Sequence, residues 1–121
     1  MNLHVDHLGD LAIVECQGKV FPNDAAISLR DTVMSQAGAN AIVLDLSQVY
    51  ALGDSILVML VRLQRWALEH NVDFRLFNPT SFVCQTFEET GFAPEFHITD
   101  SLEGIIALLA RSPNAPYLHA A

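Results

Sequence analysis

Short apolar runs alternating with longer stretches of helical spacing constrain this chain more than any other feature. Residues 11–16 (Leu-Ala-Ile-Val-Glu-Cys), 41–46, 73–77 and 96–98 are strand-length and rich in Val, Ile, Leu and Phe. Residues 3–8 form a further run, turned back at Gly9-Asp10, which predicts a paired edge strand. Between the runs lie helical stretches over 22–36, 54–70, 80–89 and 101–111. Pro22 opens the first of these, Gly38 stops it, and Gly91 ends the third. The predicted order is β-β-α-β-α-β-α-β-α. That is an α/β fold with a mostly parallel sheet, an edge strand, right-handed crossovers and helical packing.

Composition sets the limits of function. Of 121 residues, 51% are hydrophobic, enough for residues 1–111 to form one domain with its own core. Residues 112–121 contain two prolines and no periodicity, and are expected to be disordered. The formal charge of -8 excludes nucleic acid and anionic membranes as partners, since either requires Lys and Arg to neutralise phosphates. No apolar run approaches the ~20 residues that span a bilayer. The longest, residues 56–61, is stopped by Arg62, so no membrane insertion is expected. Cys16 and Cys84 form no CxxC pair and read as small buried hydrophobes. The first ten residues carry Asp6 and Asp10 but no Lys or Arg, which points to a cytoplasmic protein.

The usual chemical constellations are missing. His4 and His7 sit three apart in a strand and so point to opposite faces, unable to share a metal. His70, His97 and His119 have no ligating companions nearby in sequence. No GxGxxG, GxxxxGK[ST] or GxSxG occurs. Glu88-Glu89 reads as a solvated helix-end pair, and Asp24 stands alone. Neither an enzyme nor a metal or cofactor site is expected.

The informative segment is residues 43–60, where a strand ends near Leu46, a loop follows, and a helix begins around Gly53-Asp54-Ser55. Either Asp54 or Ser55 can cap that helix by accepting from a free backbone N–H. A serine at this place also suits phosphorylation, because the helix N-terminus stabilises added negative charge. Within the helix, Ile56, Met59, Leu60, Leu63 and Ala67 form a stripe suited to the sheet. Leu57, Val61 and Leu68 form a second apolar line, expected to pack on a neighbouring helix. Trp66 suits either core or interface. In the helix over 22–36, Ile27, Val33 and Met34 are expected to be buried, with Leu29 and Arg30 at the margin.

In these residues the chain resembles the STAS family of anti-sigma factor antagonists and sulphate-transporter domains. Val43-Leu44-Asp45-Leu46-Ser47 matches the family's strand, and Gly53-Asp54-Ser55-Ile56 falls on its Asp-Ser-Ser/Thr-Gly motif. Gly18, Asn78-Pro79, Gly91-Phe92 and Ser101-Leu102-Glu103-Gly104 fall in the family's order, so the resemblance runs over residues 3–109. It implies a partner-switching regulator of transcription. Its partner would be an anti-sigma factor that is also a serine kinase, and its phosphorylation site Ser55. The implied partner-binding residues are Gly53, Asp54, Ile56, Leu57, Val58, Val61 and Arg62. A second copy of the chain is a further candidate partner. Gly53 stands where the family has Asp, Asp54 where it has its first Ser, and Ile56 where it has Gly. Val20-Phe21-Pro22 replaces an acidic residue after the first glycine loop. Two alternatives are a non-switching STAS subunit of a transporter or stress-signalling complex, and a small-ligand sensor with Tyr50 and Phe21 as pocket walls.

Overall fold

The structure is a computed structural model that describes residues 1–111. The segment 112–121, expected to be disordered, lies outside the described residues. β1 (Asn2–Leu8) and β2 (Leu11–Gln17) form an antiparallel hairpin, Leu8 opposite Leu11, turned at Gly9 with φ 58°. β4 (Ala41–Asp45), β6 (Asp73–Phe77) and β7 (Ile98–Thr99) extend the sheet in parallel, giving the order β1-β2-β4-β6-β7. A separate two-stranded pairing joins β3 (Val20–Phe21) to β5 (Ala51–Leu52). The sequence does not announce these two-residue strands, which are too short for any alternation to register.

Helices α1 (Ala26–Met34), α2 (Asp54–Glu69) and α3 (Ser81–Thr90) connect successive parallel strands, and α4 (Leu102–Arg111) closes the fold. The apolar run of β4 follows from burial on both faces. Ile42 and Leu44 join the main core with Leu29, Leu60, Leu63, Phe74, Val83 and Phe87, whereas Ala41 and Val43 join a second cluster with Leu11 and Ile105 of α4. Asp45 ends the strand by accepting the Ser47 N–H at 2.9 Å, a local turn that competes with further pairing.

Five expectations are corrected in detail. The helix expected over 22–36 starts as a 3₁₀ turn, Asn23–Ala25, and becomes α-helical at Ala26. Its buried face is Leu29 and Val33, while Ile27 is 61% exposed and Met34 is exposed. Ile27 and Leu29 lie about 200° apart around a helix, so only one can face the sheet, and Leu29 shares its side with Val33. On α2, Leu57 and Val61 are buried as expected, but Leu68 is 63% exposed. It sits in a last turn where Ala67 is buried in the core and Trp66 packs partly against it, on the side away from Leu68. Phe96, expected in a strand, closes a 3₁₀ turn (Ala93–Glu95) instead and is buried against Phe87, ring centroids 4.6 Å apart. Finally, Cys16 is buried but Cys84 only partly so. Burial first, then Asp45 and Glu15, push the Cys16 thiol well above its ordinary range, so it stays protonated and inert.

α3 begins at Thr80, whose hydroxyl accepts from the Val83 N–H (3.4 Å) and donates to the Val49 carbonyl (2.6 Å). The same side chain therefore caps α3 and ties down the loop before α2. Thr80→Ala should cost about 1–2 kcal/mol, read as a lower urea midpoint at unchanged slope.

Candidate functional site

The surface around the start of α2 is assembled from three segments distant in sequence. β3 and β5 align Lys19 to Phe21 beside Tyr50 to Gly53: Tyr50 N–H donates to the Lys19 carbonyl (2.7 Å) and Gly53 N–H to the Phe21 carbonyl (2.8 Å). Phe21 and Val49 are buried beneath this pairing, so it is fixed from below as well as by hydrogen bonds. Pro22 follows with no N–H to continue the ladder, and the chain turns into Asn23.

Neither Asp54 nor Ser55 caps α2, contrary to expectation. Gly53 is the N-cap residue, extended at φ -70° and ψ 155°, and has no side chain to contribute. The cap comes from Asn23, whose Oδ1 accepts the Ser55 N–H at 2.9 Å. A Cβ on Gly53 would lie 2.8 Å from both Cγ and the backbone N of Asn23, and nearer still to Oδ1. Glycine at 53 and asparagine at 23 are therefore two halves of one contact. This explains the missing Asp of the motif: a side chain at 53 has no room while Asn23 caps the helix.

The sequence-derived site residues separate cleanly. Ile56, Leu57 and Val61 are buried in the main core, where their side chains hold α2 to the sheet and neighbouring helices. Asp54, Ser55, Val58 and Arg62 are exposed, and Gly53 is half-buried. Ser55, Met59 and Arg62 recur at one and two helical turns and share a face. With Ala26, Asp54 and Val58 they line an open groove of about 330 Å³ between the starts of α1 and α2. Val58 is 44% exposed there, and Ile27 next to Ala26 is also exposed. Arg62 takes part in no ion pair among the described residues, which leaves its charge available at one end of the groove.

Asn23 is the functional residue that sequence reading missed. Asn before a helix is a cap signal, but for its own helix; nothing local shows that it serves another helix through Ser55, 32 residues later. Of the two walls named for the small-ligand alternative, Phe21 is fully buried and Tyr50 is exposed. Tyr50 packs edge-on against Phe82, centroids 5.6 Å apart, and borders a depression shared with Gly18, Lys19, Ser47 and Gln48. Among the described residues, no cluster of three His, Cys, Asp or Glu side chains is placed to hold a metal ion, and no helix is long and apolar enough to cross a membrane.

Comparison with known proteins adds a family and a fold. The family model of the STAS domain matches residues 2–105. No curated protein sequence matches the chain. A putative anti-sigma factor antagonist from Thermotoga maritima superposes with a TM-score of 0.77 at 20% identity, covering 90% of this chain and 95% of that one. The anti-sigma factor antagonist SpoIIAA in its unphosphorylated form gives 0.75 at 12% identity, covering 90% and 97%; a phosphorylated form of this Bacillus cell-fate determinant is also known. A sulfate transporter family protein from Wolinella succinogenes gives 0.70 at 14% identity, covering 82% and 84%.

Proposed function

The chain belongs to the STAS domain family, and on that premise we propose that it is an anti-sigma factor antagonist controlled by phosphorylation at Ser55. It works by binding protein, in the cytoplasm, and its partner is an anti-sigma factor with serine-kinase activity. Asp54, Val58 and Arg62 form the contact face around Gly53 and Ser55. Ile56, Leu57 and Val61 support it from beneath. The observation that carries the reading is the exposed Ser55 in the first turn of α2, beside a groove with apolar walls and an Arg62 that has no ion pair among the described residues.

The chemistry suits a switch. A kinase transfers the γ-phosphoryl group of ATP to Ser55 Oγ. The new P–O ester bond forms as the bond to the β-phosphate breaks, ADP leaves, and the hydroxyl proton is released. The product gains close to two negative charges at neutral pH in the middle of the contact face. Asp54 is adjacent, so any acidic partner group that tolerated one carboxylate must now face a much denser negative patch. The unphosphorylated face, by contrast, offers Val58 and Met59 for apolar contact and Arg62 for one charged contact.

Incubation with the cognate anti-sigma kinase and ATP should add a single phosphoryl group, and Ser55→Ala should abolish it. Intact mass and peptide mapping read the outcome; phosphate at another residue, or none on the wild-type chain, contradicts the proposal. A second reading, a STAS subunit that binds without switching, is favoured by Gly53 and Ile56 and by the likeness to a sulfate transporter family protein. On that reading Ser55→Asp leaves every captured partner in place.

A further inference from the structure

The Asn23 contact gives the state of Ser55 a route to the other wall of the groove. Asn23 is the first residue of the 3₁₀ turn Asn23–Ala25, which runs without interruption into α1 at Ala26. Its Oδ1 occupies the backbone N–H of the same residue whose side chain is exposed to modification. Ala26 is a wall of the groove facing Ser55, Val58, Met59 and Arg62, and Ile27 follows it on the surface. The groove is thus lined from both sides of one hydrogen bond.

A phosphoryl group on Ser55 competes for that bond. Its three oxygens are strong acceptors on a short tether, close to the serine's own N–H. On the helix side, Ile56 N–H and Leu57 N–H already donate to the Gly53 carbonyl at 3.0 and 3.2 Å, which leaves the Ser55 N–H as the amide nearest to the phosphoryl group on that side. The Asn23 oxygen, an acceptor itself, is then left facing a dianion. Turning the amide through half a revolution replaces that oxygen with an NH2 donor, while moving the side chain away frees the start of α1.

We propose that Asn23 is a positioning residue through which phosphorylation of Ser55 reshapes the groove. In the unmodified chain its Oδ1 holds the Ser55 N–H and the start of α1 together. In the phosphorylated chain the phosphoryl group takes that N–H, Asn23 turns away, and the Ala26–Ile27 wall shifts. This rests on the reading of Ser55 as the modified residue. It adds that release of the partner comes from a moved wall as well as from added charge.

The test uses the full-length chain with phosphoserine placed at position 55 during synthesis, so that it depends on neither the kinase nor the partner. Backbone amide NMR spectra are compared for wild type, Asn23→Ala and Asn23→Asp, each with serine or phosphoserine at 55. Phosphoserine should move the Ser55, Ala26 and Ile27 signals of the wild type. Asn23→Ala with unmodified serine should move Ala26 and Ile27 in the same direction, and phosphoserine should add little there. Asn23→Asp keeps the acceptor oxygen, so its unmodified spectrum should match wild type at these positions, and phosphoserine should move them at least as far. Ala26 and Ile27 signals that ignore phosphoserine in the wild type overturn the proposal. So does a shift of undiminished size in Asn23→Ala. Failure of Ser55 to accept phosphate from any kinase would instead overturn the function proposed above and leave these spectra unchanged.

Discussion

Gly53→Ala should lower stability by about 2 kcal/mol, a large loss for a single methyl group at a half-exposed helix start. The backbone of Gly53 is extended at φ -70°, a conformation open to any residue, so the loss does not come from strain in its own torsions. It comes from overlap with Asn23, whose Cγ and backbone N both lie 2.8 Å from the Cβ position. The side chain can swing away, which surrenders the cap on Ser55 and with it about 1 kcal/mol. The backbone N cannot move without displacing Phe21, which is buried and whose carbonyl accepts the Gly53 N–H. Urea unfolding should show a lower midpoint at unchanged slope. The double variant Asn23→Ala with Gly53→Ala should recover part of the loss relative to the sum of the singles, since the side-chain overlap is then gone and the backbone overlap remains. Strict additivity would mean that the two residues are not one contact.

The elements legible in the sequence are those whose signal is local and repeated. Residues 11–16, 41–46 and 73–77 read as strands because they are short, apolar and bounded by turn residues, and the structure places all three side by side. Membership of the STAS family was legible for the same reason: the strand ending at Asp45, the helix start at Asp54 and the turns at Asn78 and Gly91 come in a fixed order. What escaped was the phase of α1 and the origin of the α2 cap. The phase depends on a 3₁₀ turn that sets where the helix begins, and Ile27 and Leu29 are equally apolar as letters. The cap depends on β3 and β5 bringing Asn23 to Gly53, a contact that no window along the chain contains. The sequence places the candidate site at the start of α2. Only the fold divides it into exposed Asp54, Ser55, Val58 and Arg62 and buried Ile56, Leu57 and Val61.

The largest expected effect is on binding. The groove beside Ser55 has apolar walls from Ala26, Val58 and Met59, and one cation, Arg62, with no ion pair among the described residues. A partner seated there excludes water from Ser55, and a phosphoryl group in that place must be desolvated next to Asp54. One guanidinium can offset part of a dianion but not both the added charge and the existing carboxylate. Like charges brought together at an interface cost several kcal/mol. A loss of about 2.7 kcal/mol corresponds to roughly a 100-fold weaker complex.

The decisive measurement is therefore the Kd of the anti-sigma kinase for this chain, by titration calorimetry, with serine and with phosphoserine at position 55. A tight complex for the unmodified chain and one weaker by about 100-fold for the phosphorylated chain is the predicted result. Equal affinity of the two forms would contradict partner switching at Ser55.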